Sequence, residues 1–266
     1  MGSMQNAVAG TAAFLAEFEE RRVHVQARIK RSIPADLRGS FLHVACGAGN
    51  GLVAALQAGF QCVVGVDPSD KPSFRSHPGR FPALCRQYAV DPARVSFFDS
   101  DRFQTGLVRP SFDVVCMLDS LNHLPNPRAM LEMGALSVRP GGCLVIDTCP
   151  LYFGRAGHHL LDHLPATCFP GAHAGKHFGG SIDEHGLVAP IRHLHRANHD
   201  NVRNWVRDSG LEITQDECRS PTANEIELLD AYRPALDLNG IDARLLVQDW
   251  FLVVARRPQS PIGDPW

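Results

Sequence analysis

Glycines stand at alternate positions in Phe41-Leu42-His43-Val44-Ala45-Cys46-Gly47-Ala48-Gly49-Asn50-Gly51, directly after an apolar run. Glycine takes φ > 0 without strain and lets backbone approach a ligand that a Cβ would block. Such a turn, between a first strand and a helix, is where an open α/β sheet holds a nucleotide-like ligand. Two familiar glycine patterns do not fit. A P-loop needs Gly-Lys-Ser/Thr, which does not follow Gly51, and the dinucleotide fingerprint needs its third glycine where Leu52 stands. The other chemical concentration is histidine: nine of the 13 fall within residues 158–199. His173 and His177, His193 and His195, and His195 and His199 have spacings that can bind a metal on one face of a helix or strand, with Asp183 and Glu184 beside His185 as oxygen donors. Glycines and prolines around His173 argue against a regular helix there, and such histidines also line polar clefts or face solvent. No resident metal is assigned.

The elements that must position these residues alternate. Apolar residues at helical spacing predict a helix from Thr11 to about Arg31, ended by Pro34. Strands are expected at 41–46, 62–66, 95–98, 112–118 and 143–146, and helices at about 50–58 and 127–138. Residues 72–90 read as weakly helical, interrupted by Pro78 and Pro82, and Arg139-Pro140-Gly141-Gly142 reads as a turn. Continuously apolar strands between helices are those of a parallel sheet covered on both faces. After Asp147 the rhythm breaks, and it resumes with a helix capped by Asp200, a strand at 211–216, a helical segment at about 222–236 and a strand at 250–255. The last two strands lack a full crossover helix between them, so an antiparallel pair at the sheet edge is expected. The fold class is thus α/β: a Rossmann-like, doubly wound sheet of seven strands, mostly parallel, with an N-terminal helical cap (1–35), a main domain (36–258) carrying an insertion at 149–198 after the fifth strand, and a tail (259–266).

With 266 residues, 44% of them hydrophobic, the chain can bury a full core. A formal net charge of −2 and no block of like charges give no support for nucleic-acid binding through a basic face. Eight cysteines without a C-x-x-C pair, several of them (Cys62, Cys116, Cys143) in apolar runs, point to a reducing compartment and no disulfide framework. No apolar run is long enough to span a bilayer, and no signal-peptide pattern opens the chain, so a cytoplasmic protein with no membrane association is expected.

The ordered set of motifs resembles the class I S-adenosylmethionine-dependent methyltransferases, strongly over residues 38–150 and more loosely over 200–256. His43-Val44-Ala45-Cys46-Gly47-Ala48-Gly49 looks like the first motif of that family. Asp67 closes the second strand, Asp101 follows the third, Phe112-Asp113-Val114-Val115 opens the fourth, and Leu118-Asp119-Ser120-Leu121-Asn122-His123-Leu124 looks like the segment under the methionine part of the cofactor. The resemblance implies S-adenosyl-L-methionine as cofactor, with His43, Ala45, Gly47, Gly49, Asp67, Pro68, Asp101, Arg102, Leu118 and Asp119 around it. A carboxylate at Asp67 can accept hydrogen bonds from both ribose hydroxyls, and one at Asp101 from the adenine amine, with Arg102 or Phe103 covering the ring. Asp99 is the neighbouring candidate for the adenine contact, and any aspartate after a strand can instead be an ordinary helix cap. His43 departs from the family pattern, which has an acid there to help hold the cofactor's ammonium; a neutral imidazole can accept one hydrogen bond, and Asp119 can supply the missing charge.

Methyl transfer is an in-line displacement at a sulfonium methyl, so the enzyme aligns the nucleophile and removes its proton where it has one. His123, a few residues after the fourth strand, is the candidate base, because an unperturbed imidazole with a pKa of about 6.5 suits that role at neutral pH, with Asp119 and Asn122 as polar partners. His123 can equally pack under the helix that starts at Pro127. His185 and His195 are the candidates on the insertion, which shapes the acceptor site in this family. The expected activity is methyl transfer to an O or N atom of a small molecule, by a chain that needs no nucleic acid or membrane and has a homodimer as its candidate assembly. Two other readings share the fold: use of the cofactor for non-methylating chemistry such as cyclisation, or its retention as structure, and a binding protein without catalysis.

Overall fold

The computed structural model describes residues 2–67, 80–99, 111–121, 124, 126–148, 197–232 and 250–259. Helix α1 (Gly2–Ser32) is followed by β1 (Ser40–Val44), α2 (Asn50–Gln57), β2 (Cys62–Asp67), α3 (Arg80–Gln87), β3 (Val95–Asp99) and β4 (Phe112–Leu118). Then come α4 (Pro127–Ser137), β5 (Val138–Thr148), α5 (His199–Asp208), β6 (Glu212–Cys218), α6 (Ala223–Tyr232) and β7 (Phe251–Arg256). The strands form one seven-stranded sheet in the order β3-β2-β1-β4-β5-β7-β6. β1 pairs parallel with β2 and with β4, and β2 pairs parallel with β3. β6 and β7 pair antiparallel at the edge, as their close spacing in sequence predicts. This is the Rossmann-like doubly wound α/β sheet, and its strand order reverses at the β1/β4 junction, where such sheets bind ligands.

Two compact units make up the chain: Met1–Leu118 with Leu136–Val145 and Arg257–Trp266, and Asp119–Ala135 with Ile146–Arg256. In the first, the apolar strands are buried on both faces: Phe41, Leu42, Val44, Val63, Val66 and Val114 to Met117 are all in the core. α1 buries Phe18, Val25 and Ile29, one stripe of its surface. Its Arg22 is also buried, donating from Nε to Glu19 Oε2 at 2.9 Å and lying over the ring of Tyr88, so this arginine is used inside the fold. No helix among the described residues is long and apolar enough to cross a membrane.

Four local expectations differ from the structure. Pro82 does not interrupt α3 but lies in its first turn, where a missing N–H costs nothing. Residues 139–142 belong to β5 although the backbone bends there, with Gly141 at φ +76°. They stay paired: Gly141 N donates to Arg257 O at 3.0 Å, and Arg257 N to Gly142 O at 3.1 Å. Gly142 must be glycine, because a Cβ would lie 2.7 Å from the carbonyl oxygen of Asp113. The cap of α5 is Asn198 rather than Asp200: the Asn198 side chain accepts from Asn201 N at 2.9 Å, and Asn201 returns the bond, so the helix starts earlier. Cys62, expected as a small core residue, is exposed, while Cys46, Cys85, Cys116 and Cys143 are buried.

Two buried polar groups hold the first unit. Asp113 accepts from Ser40 N at 2.6 Å and from Arg139 Nε at 2.7 Å, tying the starts of β1, β4 and β5. Burial alone would raise its carboxyl pKa; the bonds from Ser40 and Arg139 overcome that and hold it below the usual carboxylate range. The other group is His43, at 3% exposure on β1. A Cβ on Gly51 would collide with its Nδ1, so the imidazole lies against the first turn of α2 and requires the glycine there. Neither ring nitrogen has a hydrogen-bond partner. Burial lowers the imidazole pKa from 6.5 to about 4, so the ring is neutral at physiological pH.

Both groups predict measurable stability effects. Asp113→Ala leaves Arg139 and the Ser40 amide without their acceptor, and the unfolding free energy should fall by about 3 kcal/mol in urea titrations. His43 sets an acid limit. Below pH 6.5 the unfolded chain takes up a proton that the folded chain refuses until about pH 4. Stability contributed by the neutral ring is therefore complete above 6.5 and is lost as pH falls to 4, about 3 kcal/mol in all. His43→Leu should show a correspondingly shallower fall in stability between pH 7 and 4.5; an identical slope in both proteins would refute the assignment.

Candidate functional site

The chain leaves β1 through three left-handed residues in five: Ala45 at φ 55°, Gly47 at φ 53° and Gly49 at φ 82°. Ala45 is notable because a Cβ disfavours that region, and such residues persist only where their surroundings hold them. Backbone bonds do so. Cys46 N donates to Val66 O on β2 at 3.1 Å, and Gly49 N donates to Cys46 O at 3.0 Å. Gly49 then caps α2 with no side chain of its own, and in the first turn the Asn50 side chain accepts from Gly51 N at 3.0 Å. A Cβ at Gly47 would meet no atom within 4 Å. Gly47 is therefore required by its dihedral, and the space beside it is open to a ligand. Gly51 has a different reason, the buried imidazole of His43, although its spacing in sequence is that of the ligand-facing glycines.

Asp67 ends β2, half-buried, one residue past the carbonyl that holds Cys46. Burial raises the Cys46 thiol well above its ordinary pKa, and the charge of Asp67 raises it further. The bond from Cys46 N to Val66 O sets Asp67, the next residue, close to the start of the glycine turn. β2 comes this close because position 65 is glycine: a Cβ there would lie 2.7 Å from the sulfur of Cys46 and 2.8 Å from Leu52. A left-handed turn with open space at Gly47 and a carboxylate beside it fit an amino-acid and ribose-bearing ligand: backbone amides for the carboxylate end, Asp67 for hydroxyl donors.

In the second unit, Asp119 directly follows β4 and is left-handed, at φ 50°. Its amide donates to the carbonyl of Asp147 at 2.9 Å. Asp147 is fully buried near the end of β5, and its carboxylate accepts from the indole nitrogen of Trp250 at 2.7 Å. Sequence reasoning passed over both residues. The signal for Asp147 was an acid closing the apolar run Leu144-Val145-Ile146; nothing in the pattern pointed to Trp250, 103 residues away. Leu118 is buried, just ahead of Asp119.

Of the remaining candidates, Pro68, Asp101, Arg102, His123, His185 and His195 lie outside the described residues, as do His173, His177 and His193. His199 is described: its Nε2 is 2.5 Å from Asp216 Oδ1, and its ring stacks on Phe251. Among the described residues no group of three His, Cys, Asp or Glu side chains could hold a metal.

Comparison with known proteins agrees with this geometry. The sequence matches a family described as a methyltransferase domain over residues 17–216. It is 29% identical over 198 residues to the 27-O-demethylrifamycin SV methyltransferase of Amycolatopsis mediterranei (strain S699), covering 74% of this chain; the chain spans only 62% of the length of that relative. Two solved structures share the fold. The [4+2]-cyclase SpnF has a TM-score of 0.54 at 14% identity, with 90% of this chain and 82% of that one covered. The Haemonchus contortus phosphoethanolamine N-methyltransferase 2, solved with S-adenosyl-L-methionine, has a TM-score of 0.53 at 18% identity, with 90% and 53% covered. With its family match spanning most of its length, its sheet order and its glycine turn, the chain belongs to the class I S-adenosylmethionine-dependent methyltransferases.

Proposed function

We propose that this protein transfers a methyl group from S-adenosyl-L-methionine to an oxygen or nitrogen of a small molecule. The observation that carries the reading is the turn at Gly47, open beside its backbone, with Asp67 following the Val66 carbonyl to which Cys46 N of the turn donates. The acceptor class is supported by the curated relative, which by its name is a methyltransferase of 27-O-demethylrifamycin SV, and by a net charge of −2, which gives a nucleic acid no basic footing.

In this reading the backbone of Ala45, Gly47 and Gly49 cradles the amino-acid part of the cofactor, Asp67 takes the ribose hydroxyls, and Pro68, Asp101 and Arg102 enclose the adenine. Leu118 and Asp119 lie along the methionine part. His43 is neutral and buried, so it cannot supply the negative charge that the family's acid brings to the ammonium; Asp119 is the carboxylate assigned that task. When bound, the cofactor supplies an electrophilic methyl on a positive sulfur. The chain's own work is to exclude water, align the acceptor and take its proton, with His123 as base, Asp119 beside it, and His185 or His195 facing the acceptor from the insertion at 149–198.

Two measurements test this. Asp67→Ala removes a charged acceptor for two hydroxyls, and calorimetry should show S-adenosylhomocysteine binding weakened by roughly 10- to 100-fold; an unchanged dissociation constant would refute the site. Incubation of the wild-type protein with labelled cofactor and candidate acceptors should release S-adenosylhomocysteine. Methylthioadenosine, or cofactor left intact while the acceptor is converted, would replace methyl transfer with cyclisation or another use of the same fold.

A further inference from the structure

Asp119 is one of three described residues other than glycine with positive φ, and it stands at the end of β4, where ligands of such sheets bind. A left-handed aspartate costs energy and keeps that conformation only if its surroundings over-determine it. Three bonds within one compact unit do so. Asp119 N donates to Asp147 O at 2.9 Å, Trp250 Nε1 donates to Asp147 Oδ1 at 2.7 Å, and Arg219 N donates to Trp250 O at 3.1 Å. The first fixes Asp119 to the end of β5. The second anchors the side chain of the residue that supplies that carbonyl, and the third holds Trp250 in line with the β6–β7 pair. Asp147 is fully buried, so its link to the indole is shielded from competing water.

We propose that Trp250 is a positioning residue for Asp119: through Asp147 it holds the left-handed backbone that aims the Asp119 carboxylate at the ligand. The inference rests on the cofactor reading of Asp119 given above. Trp250 touches no ligand in this account. It acts only through the carbonyl of Asp147, and a tryptophan is needed because phenylalanine fills similar space but has no N–H to donate.

The test is a mutant cycle on the full chain, read by calorimetry with S-adenosylhomocysteine and by amide hydrogen exchange of the segment containing Asp119. Trp250→Phe should weaken binding about tenfold and speed exchange at Asp119. Asp119→Ala should also weaken binding, and Trp250→Phe added to it should cause no further loss. Additive losses in the cycle would overturn the proposal, as would wild-type affinity or wild-type exchange at Asp119 in Trp250→Phe. If Trp250→Phe does not fold, Asp147→Leu, which removes the acceptor, carries the same cycle. If the wild-type protein fails to bind S-adenosylhomocysteine, the cofactor reading falls, and exchange at Asp119 still decides whether Trp250 holds its backbone.

Discussion

The carboxyl end of β1 depends on a buried imidazole without a hydrogen-bonding partner. His43 occupies the space that a side chain at position 51 would need, so α2 can begin over it only with glycine there. A buried polar group left unpaired costs about 1–3 kcal/mol, and a charged one would cost far more. The ring meets that constraint by staying neutral, its pKa lowered to about 4. The position of α2, and with it the left-handed run from Ala45 to Gly49, therefore rests on a group whose protonation would oppose folding.

The glycines of the turn look equivalent in sequence and are not. Gly47 and Gly49 are demanded by dihedrals of 53° and 82°, which side chains rarely adopt, whereas Gly51 is demanded by contact with His43. A pattern of alternating glycines cannot separate these causes, because one is local backbone geometry and the other is packing against a strand eight residues back. The strands were legible for the opposite reason. Burial on both faces of a parallel sheet leaves continuous apolar runs, and the strands expected at 41–46, 62–66 and 112–118 overlap β1, which ends earlier at Val44, β2 and β4.

What the pattern hid is side-chain bonding. Asp200 looked like the cap of α5, yet Asn198 and Asn201 form a reciprocal pair that starts the helix earlier, a choice between neighbouring polar residues that periodicity cannot make. Residues 139–142 have the composition of a turn and still pair with Arg257. The bond from Trp250 to Asp147 joins residues far apart in the chain, and only the sheet order, which sets β7 beside β5, brings them together. Asp67 is the converse case: its place at a strand end made it readable, and its influence on the Cys46 thiol agrees with that place.

The neutral His43 also bears on where charge can reside. A carboxylate in its position would be sealed under α2, where the imidazole has no hydrogen-bond partner among the described residues, and an unpaired buried anion costs more than an imidazole that can shed its proton. Negative charge for a cationic cofactor is better carried where water still reaches. Asp67 at the end of β2 and Asp119 after β4 are both half-buried, unlike His43. A partly solvated carboxylate keeps its charge at little cost and gains strength as a ligand displaces the water. In the function proposed above, the counter-charge that an acid at position 43 would bring is assigned to Asp119, whose left-handed backbone then matters more.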